Sequence, residues 1–203
     1  SRPKRLAFKL AALLHDAAKP AARAVDPASG RVVFRGHDDQ GAAVVDAIAR
    51  RLRLSALVRR LTVLIVANHM HVLFLSAPNV NPATVQRWFR RLGDDMVLVI
   101  LLSMADVLSA LGPAATAQRR RHHLDWAVRA IGVYFTVVKP RLAVQPWVNG
   151  KDLMAMGMAP GPRMGRTLSR LRQLQDEGRL KDRQEALAMA AVMIGKPEAG
   201  LPR

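Results

Sequence analysis

The chain has no cysteine. Disulfides and thiolate-held metals are therefore excluded, and any metal must be held by histidine, aspartate or glutamate. Aromatic residues are scarce, 4% of 203 residues with a single tyrosine, and strand-favouring runs are few. Acidic residues are scarce as well: Asp and Glu number 15 against 32 Lys and Arg, giving a net charge of +17. That imbalance favours a polyanionic partner such as RNA, DNA or anionic lipid, the alternative being a coding bias that inflates arginine and alanine together. No apolar run reads as long enough to span a membrane, and no charged-then-apolar leader follows Ser1. The expectation is a cytoplasmic protein with no membrane partner.

What is present is helix-forming material. Half the residues are apolar, and Ala, Leu, Val and Met dominate, which points to an all-α fold. Residues 6–15 read as a mostly buried helix ended by Pro20. A connector with Pro27 and Gly30 follows, in which "RVVF" is briefly extended. A second helix starts near His37, and Ser55 caps a third that runs through "ALVRRLTVLIVANHM". "APNVNP" is a loop. Residues 84–92 form a short helix broken at Gly93, and Asp94 or Asp95 is placed to cap the next, "MVLVILLSMADVLSAL". That helix is apolar on nearly every side, should lie in the middle of the domain and stops at Gly112-Pro113. A long basic helix is expected from Ala114 to Val138, closed by Pro140. Three shorter helices separated by Gly and Pro complete the chain. Residues 1–145 are expected to form the main helical domain and 146–203 a small helical appendage.

Three histidines and two aspartates stand out: His15, Asp16, His37, His69 and Asp106, on four separate helices or helix starts. Gly36 allows a tight turn just before His37, and His69 is expected at the C-terminal end of its helix. Asp106 is the one charge within an apolar helix, where an unpaired carboxylate would be costly, so it needs a partner. Imidazoles and carboxylates converging from separate helices are how an all-α protein builds a metal site suited to phosphoester hydrolysis. Singly, each has a plainer role, His15-Asp16 as a helix-end pair and His69 as a dipole partner. His71, His122 and His123 lie in or beside basic runs and are expected to be solvated.

The segments "HDAAKP", "FRGHDDQGA", "NHM" and "SMAD", in that order, are similar to the HD phosphohydrolase domain. More closely, they resemble the version carried by bacterial tRNA nucleotidyltransferase and poly(A) polymerase-like proteins. "PWVNGKDLMAMG", "GPRMGR" and "RQEAL" resemble that family's C-terminal signature, so the similarity covers essentially the whole chain. The resemblance implies an HD-type helical bundle and a divalent metal of the Mg, Mn, Ni or Co class on His15, Asp16, His37, His69 and Asp106. Lys19, one helical turn after the pair if the first helix continues that far, is the candidate catalytic residue, stabilising charge on a phosphate. The resemblance implies tRNA as partner, gripped by the C-terminal helices. The family's Gly-rich turn and Asp-x-Asp of the nucleotidyltransferase head do not occur. The chain is thus expected to correspond to the part without the head and not to add nucleotides alone. The histidine that HD hydrolases usually place upstream of the pair is not found either.

Basic clusters supply candidate RNA contacts: Arg119, Arg120 and Arg121 in one helix, and Arg163, Arg166 and Arg170 along one face of another. Each could instead be a solvated face. Trp88 and Trp126 are expected in the core, and Trp147 to pack rather than stack on a base. Three functions stay open at this point. The chain is a non-catalytic RNA-binding tail, a metal-dependent phosphohydrolase acting at RNA ends, or a stand-alone HD-type nucleotide phosphohydrolase with no RNA partner.

Overall fold

The computed structural model describes residues 1–110 and 116–195. Within them the chain is all-α, apart from two paired strands of two residues each. Contacts divide it into two compact units, Ser1–Ile131 and Gly132–Arg203.

In the first unit α1 (Arg2–Leu14) leads through turns to β1 (Ala24–Val25), which pairs antiparallel with β2 (Val32–Val33). Then come α2 (His37–Arg51), α3 (Ala56–Leu75), α4 (Pro82–Leu92) and, after a 3₁₀ turn over Gly93–Asp95, α5 (Met96–Ser109). The helix α6 (Ala117–Val133) follows. The expected stop at Gly112-Pro113 and start at Ala114 lie outside the described residues.

The central helix is α3, not α5. It packs against α1, α2 and α5, and Leu61, Ile65 and Val66 are wholly buried. By contrast α5 leaves Leu101 and Leu108 42% and 59% exposed. These two are seven residues apart and so share one face, which marks α5 as a flanking helix. Likewise α1 buries only Ala7 and Ala11, while Leu13 is 78% exposed. Small residues let α1 approach α3 closely; Leu10 packs beside them against Val58 and Leu61, while Leu6 and Leu13 face outward. Contrary to expectation, α3 is long and apolar enough by length and composition to cross a membrane; its place in the bundle core accounts for that composition.

Ser55 caps α3 as expected, accepting from the Val58 amide at 3.4 Å. Asp95 does not cap α5 with its side chain. It accepts from Lys4 at 3.0 Å and Arg60 at 3.0 Å instead, joining α1 and α3 to the start of α5. Burial alone would raise the Asp95 pKa, but the bonds from Lys4 and Arg60 outweigh it and hold the carboxyl below its ordinary value. Asp95→Ala should therefore cost about 1 kcal/mol in a urea melt at neutral pH, at the modest end for charge-assisted bonds because both cations are partly open to solvent. A depressed carboxylate contributes stability above its unfolded pKa and loses it as pH falls through the folded value. The gap between wild type and variant should close in acid.

Pro140 does not end the basic helix. The chain passes from α6 through a π-helical turn, Tyr134–Val138, into α7 (Lys139–Ala143), with Pro140 in the first turn of α7. The wider turn accommodates a residue that has no N–H to donate, and a first-turn position leaves nothing unsatisfied.

The second unit holds α7, α8 (Gly150–Ala155), α9 (Pro162–Asp176) and α10 (Arg183–Gly195) around Leu153, Leu171, Leu174 and Ala190, with Met158 and Met164 filling between them. Trp147 packs against this cluster, as expected; Trp88 is buried, and Trp126 only partly so. Asn149 and Asp152 form a capping box at α8. Arg172 donates to the carbonyls of Val144 at 2.6 Å and Leu142 at 2.8 Å, satisfying the end of α7.

Candidate metal centre

His15 sits at the C-terminal cap of α1, in helical conformation, and Asp16 in the turn that follows. His37 is the first residue of α2, and Gly36 before it adopts φ 72°, a left-handed conformation that suits glycine. His69 lies within α3, which runs on to Leu75, so the expected dipole role at a helix end does not apply. Asp106 lies in the last turn of α5. Four helices thus bring the five residues to one place. Two groups have ligand atoms mutually within 4.8 Å: Asp16, His37 and His69, and His15, Asp16 and Asp106. Asp16 belongs to both.

The hydrogen bonds fix which ring nitrogens face inward. His15 Nδ1 lies 3.0 Å from the Ala12 carbonyl, His37 Nδ1 2.7 Å from that of Phe34, and His69 Nδ1 2.7 Å from that of Val66. A carbonyl oxygen only accepts, so all three Nδ1 atoms carry the proton and each neutral ring presents an Nε2 lone pair. Those lone pairs converge. His37 and His69 Nε2 are 3.2 Å apart, His37 Nε2 is 3.4 Å from Asp16 Oδ1, and His15 Nε2 is 3.4 Å from Asp16 Oδ2 and 3.6 Å from Asp106 Oδ1.

Two lone pairs at 3.2 Å repel unless a positive charge stands between them. His15 Nε2 is likewise buried without a hydrogen-bond partner. Ligands about 2.1 Å from one ion are spaced by about 3.0 Å at a right angle and about 3.4 Å at a tetrahedral one. Three of these four separations fall within that range and one just beyond it, and the other pairs of each group lie within 4.8 Å, so the donor set fits a divalent ion. The electrostatics agree. Asp106, with Asp16 adding to it, raises the His15 pKa against the effect of burial. His15 in turn holds the Asp106 carboxyl below its usual range. Burial lowers the pKa of His69, and His15 and His37 lower it further. The carboxylates favour positive charge at His15, while the buried His69 ring disfavours a proton and keeps its lone pair. Asp106 thereby has its partner.

Lys19 is not on a continued helix; its amide closes a turn on the Asp16 carbonyl. Its ammonium lies 2.6 Å from Asp16 Oδ2 and 5.8 Å from the centre of the Phe34 ring. Arg119 and Arg121 are exposed and Arg120 partly buried. Arg163 donates to the carbonyls of Met193 and Ile194 at the end of α10, Arg166 is exposed, and Arg170 donates to Gln173.

His123 is not solvated. It is 3% exposed, with Nδ1 3.2 Å from Ser76 Oγ and Nε2 2.9 Å from Ser103 Oγ. Burial and the neighbouring His122 lower its pKa. The spacing of His123, Ala127 and Ala130 along the buried face of α6 is the signal that marks it.

Residues 2–111 match the family model of the HD domain. The chain is 34% identical over 195 residues to the CC-adding tRNA nucleotidyltransferase of Thermus thermophilus, covering 96% of this chain and 42% of that protein. It is 33% identical over 185 residues to the A-adding tRNA nucleotidyltransferase of Deinococcus radiodurans, covering 90% and 41%. The chain thus spans about two fifths of the length of these relatives. No solved structure matches it. With the His15–Asp16 pair answered by Asp106 and the family match running through all five residues, the chain belongs to the HD domain family.

Proposed function

We propose that the chain acts as the metal-binding, RNA-gripping portion of a tRNA nucleotidyltransferase-like protein and that its His–Asp centre hydrolyses phosphoesters. The observation that carries the metal reading is the convergence of three Nδ1-protonated histidines, whose lone pairs meet between two carboxylates. His15, Asp16, His37, His69 and Asp106 would hold the ion. Once bound, a divalent ion of the Mn, Co or Ni class, or Mg, supplies a charge that acidifies water and polarises a phosphoester.

The chain's own residues do the rest. The main-chain carbonyls of Ala12, Phe34 and Val66 aim the three rings. Lys19, with its side chain 38% exposed, can turn from Asp16 to an incoming phosphate and balance its charge. Asp16 then keeps both oxygens for the centre. The RNA reading rests on the net charge of +17 and on relatives whose names place them on tRNA. Arg119, Arg120, Arg121, Arg166 and Arg170 would track the phosphate backbone. Arg163 would contribute from its place against α10.

Hydrolysis of a 2′,3′-cyclic nucleotide across a panel of divalent ions tests the first half. Turnover that needs the ion and vanishes with chelator is the expected result; no turnover with any ion in folded protein removes the hydrolase reading. Binding of tRNA tests the second. Neutralising three phosphates should make affinity fall by at least about tenfold between 50 and 200 mM salt. The combined Arg119→Ala, Arg121→Ala and Arg166→Ala variant should flatten that slope. Binding that ignores salt would sink the RNA reading, and a preference for free nucleotides would favour the stand-alone hydrolase.

A further inference from the structure

A cavity of about 730 Å³ opens in the first unit, where α3 and α5 end and α6 begins. None of the five His–Asp residues lines it. Its walls are of two kinds. Leu73, Pro78 and Val107 form an apolar side, and Arg119, Arg120 and His122 from the first turns of α6 form a polar one.

Among the described residues no carboxylate lines the cavity. Arg120 is partly buried and, among those same residues, its side chain makes no hydrogen bond or ion pair. A guanidinium keeps its charge at any ordinary pH, and holding it half out of water without a counter-charge is unfavourable. The N-terminal end of α6 adds to the positive potential. An anion placed there would relieve both.

The cavity end is held rigid. His122 Nε2 donates to the Ser76 carbonyl at 2.8 Å, which leaves Nδ1 of the neutral ring as an acceptor. Next to it, His123 is clamped between the hydroxyls of Ser76 and Ser103. A flat, largely apolar body with an anionic group at one end and a polar donor along one edge meets all of these features. A nucleotide has that form, and the volume lies within the range of small-molecule sites.

We propose that this cavity binds one nucleotide unit, its base against Leu73, Pro78 and Val107 and its phosphate on Arg120 and Arg119. The ligand is either a free mononucleotide or the unpaired end of an RNA strand, which share this chemistry. The site does not depend on the His–Asp centre.

The test is displacement of a fluorescent AMP derivative from the full chain. It is run in EDTA, so that no metal-dependent binding contributes. AMP should compete at least tenfold better than adenosine or inorganic phosphate, because base and phosphate are both recognised. Arg120→Gln should weaken binding at least tenfold. Ala110→Phe, which fills the cavity from an exposed position on its wall, should do the same without removing a charge. Stronger competition by a short single-stranded RNA than by AMP identifies the strand end as the ligand; the reverse order identifies the free nucleotide. Equal competition by AMP and phosphate, or unchanged binding in both folded variants, overturns the proposal.

Discussion

Asp16→Ala should abolish metal binding and any metal-dependent hydrolysis while leaving the helical signal of the protein intact. Asp16 is the one residue common to both clusters of ligand atoms, with Oδ1 facing His37 and Oδ2 facing His15. Removing it takes a donor from each cluster and strips the negative charge nearest Lys19. Loss of one carboxylate ligand should lower affinity by at least the hundredfold that milder changes around a metal site produce. Hydrolysis should fall to background. The substitution lies in the turn after α1, where Asp16 is only partly buried, so the fold should tolerate it. Isothermal titration with Mn and Co, beside circular dichroism, reads both halves at once. Wild-type affinity in the folded variant would show that the ion is held elsewhere.

The second large effect is expected at Gly41. A Cβ there would stand 3.2 Å from Val66 Cγ1 and 3.4 Å from the His15 carbonyl. Glycine in a helix interior ordinarily costs about 1 kcal/mol relative to alanine, so its place in the second turn of α2 calls for a steric reason. Here α2 approaches both α3 and the turn that carries the His–Asp pair. Gly41→Val adds three carbons where the first already stands in tight contact. It should lower stability by about 2–3 kcal/mol through overpacking. Because the displaced atoms belong to the segments holding His15 and His69, metal affinity should fall together with stability. A variant that melts like wild type would mean that the contact is looser than its distances imply. One that melts lower but binds metal normally would separate packing from the site.

The sequence made the site more legible than the architecture around it. His15, Asp16, His69 and Asp106 are recognisable as polar side chains in or at the end of apolar runs, His37 by the glycine before it, and the order of all five resembles one family's. All five come together. Continuous apolarity points to α5 as the central helix, but it measures how many neighbours a helix could have, not how many it has. Here α5 carries Leu101 and Leu108 outward, while α3, interrupted by Arg59, Arg60, Thr62, Asn68, His69 and His71, takes the middle. Pro140 misled for a related reason. A proline stops an ideal α-helix, but one π-turn is enough to carry the chain past it. His123 hid within a basic run, since charge catches the eye before a spacing of four residues does. Asp95 went to Lys4 and Arg60 rather than to a cap, because pairings across ninety-one residues leave no local trace.

The main-chain carbonyls behind the three imidazoles have one more consequence. Each ring has Nδ1 tethered to a carbonyl three residues back along its own segment, which leaves Nε2 turned to the centre without help from an ion. In a zinc finger the ion assembles the fold, and chelation dissolves it. Here the main chain, not an ion, holds the rings, so under the proposed metal reading chelation should leave the fold standing. An ion held there would be an exchangeable passenger. Which one is aboard would follow its availability in the cell as much as its affinity, and the same polypeptide could be filled, emptied and refilled without ever losing its shape.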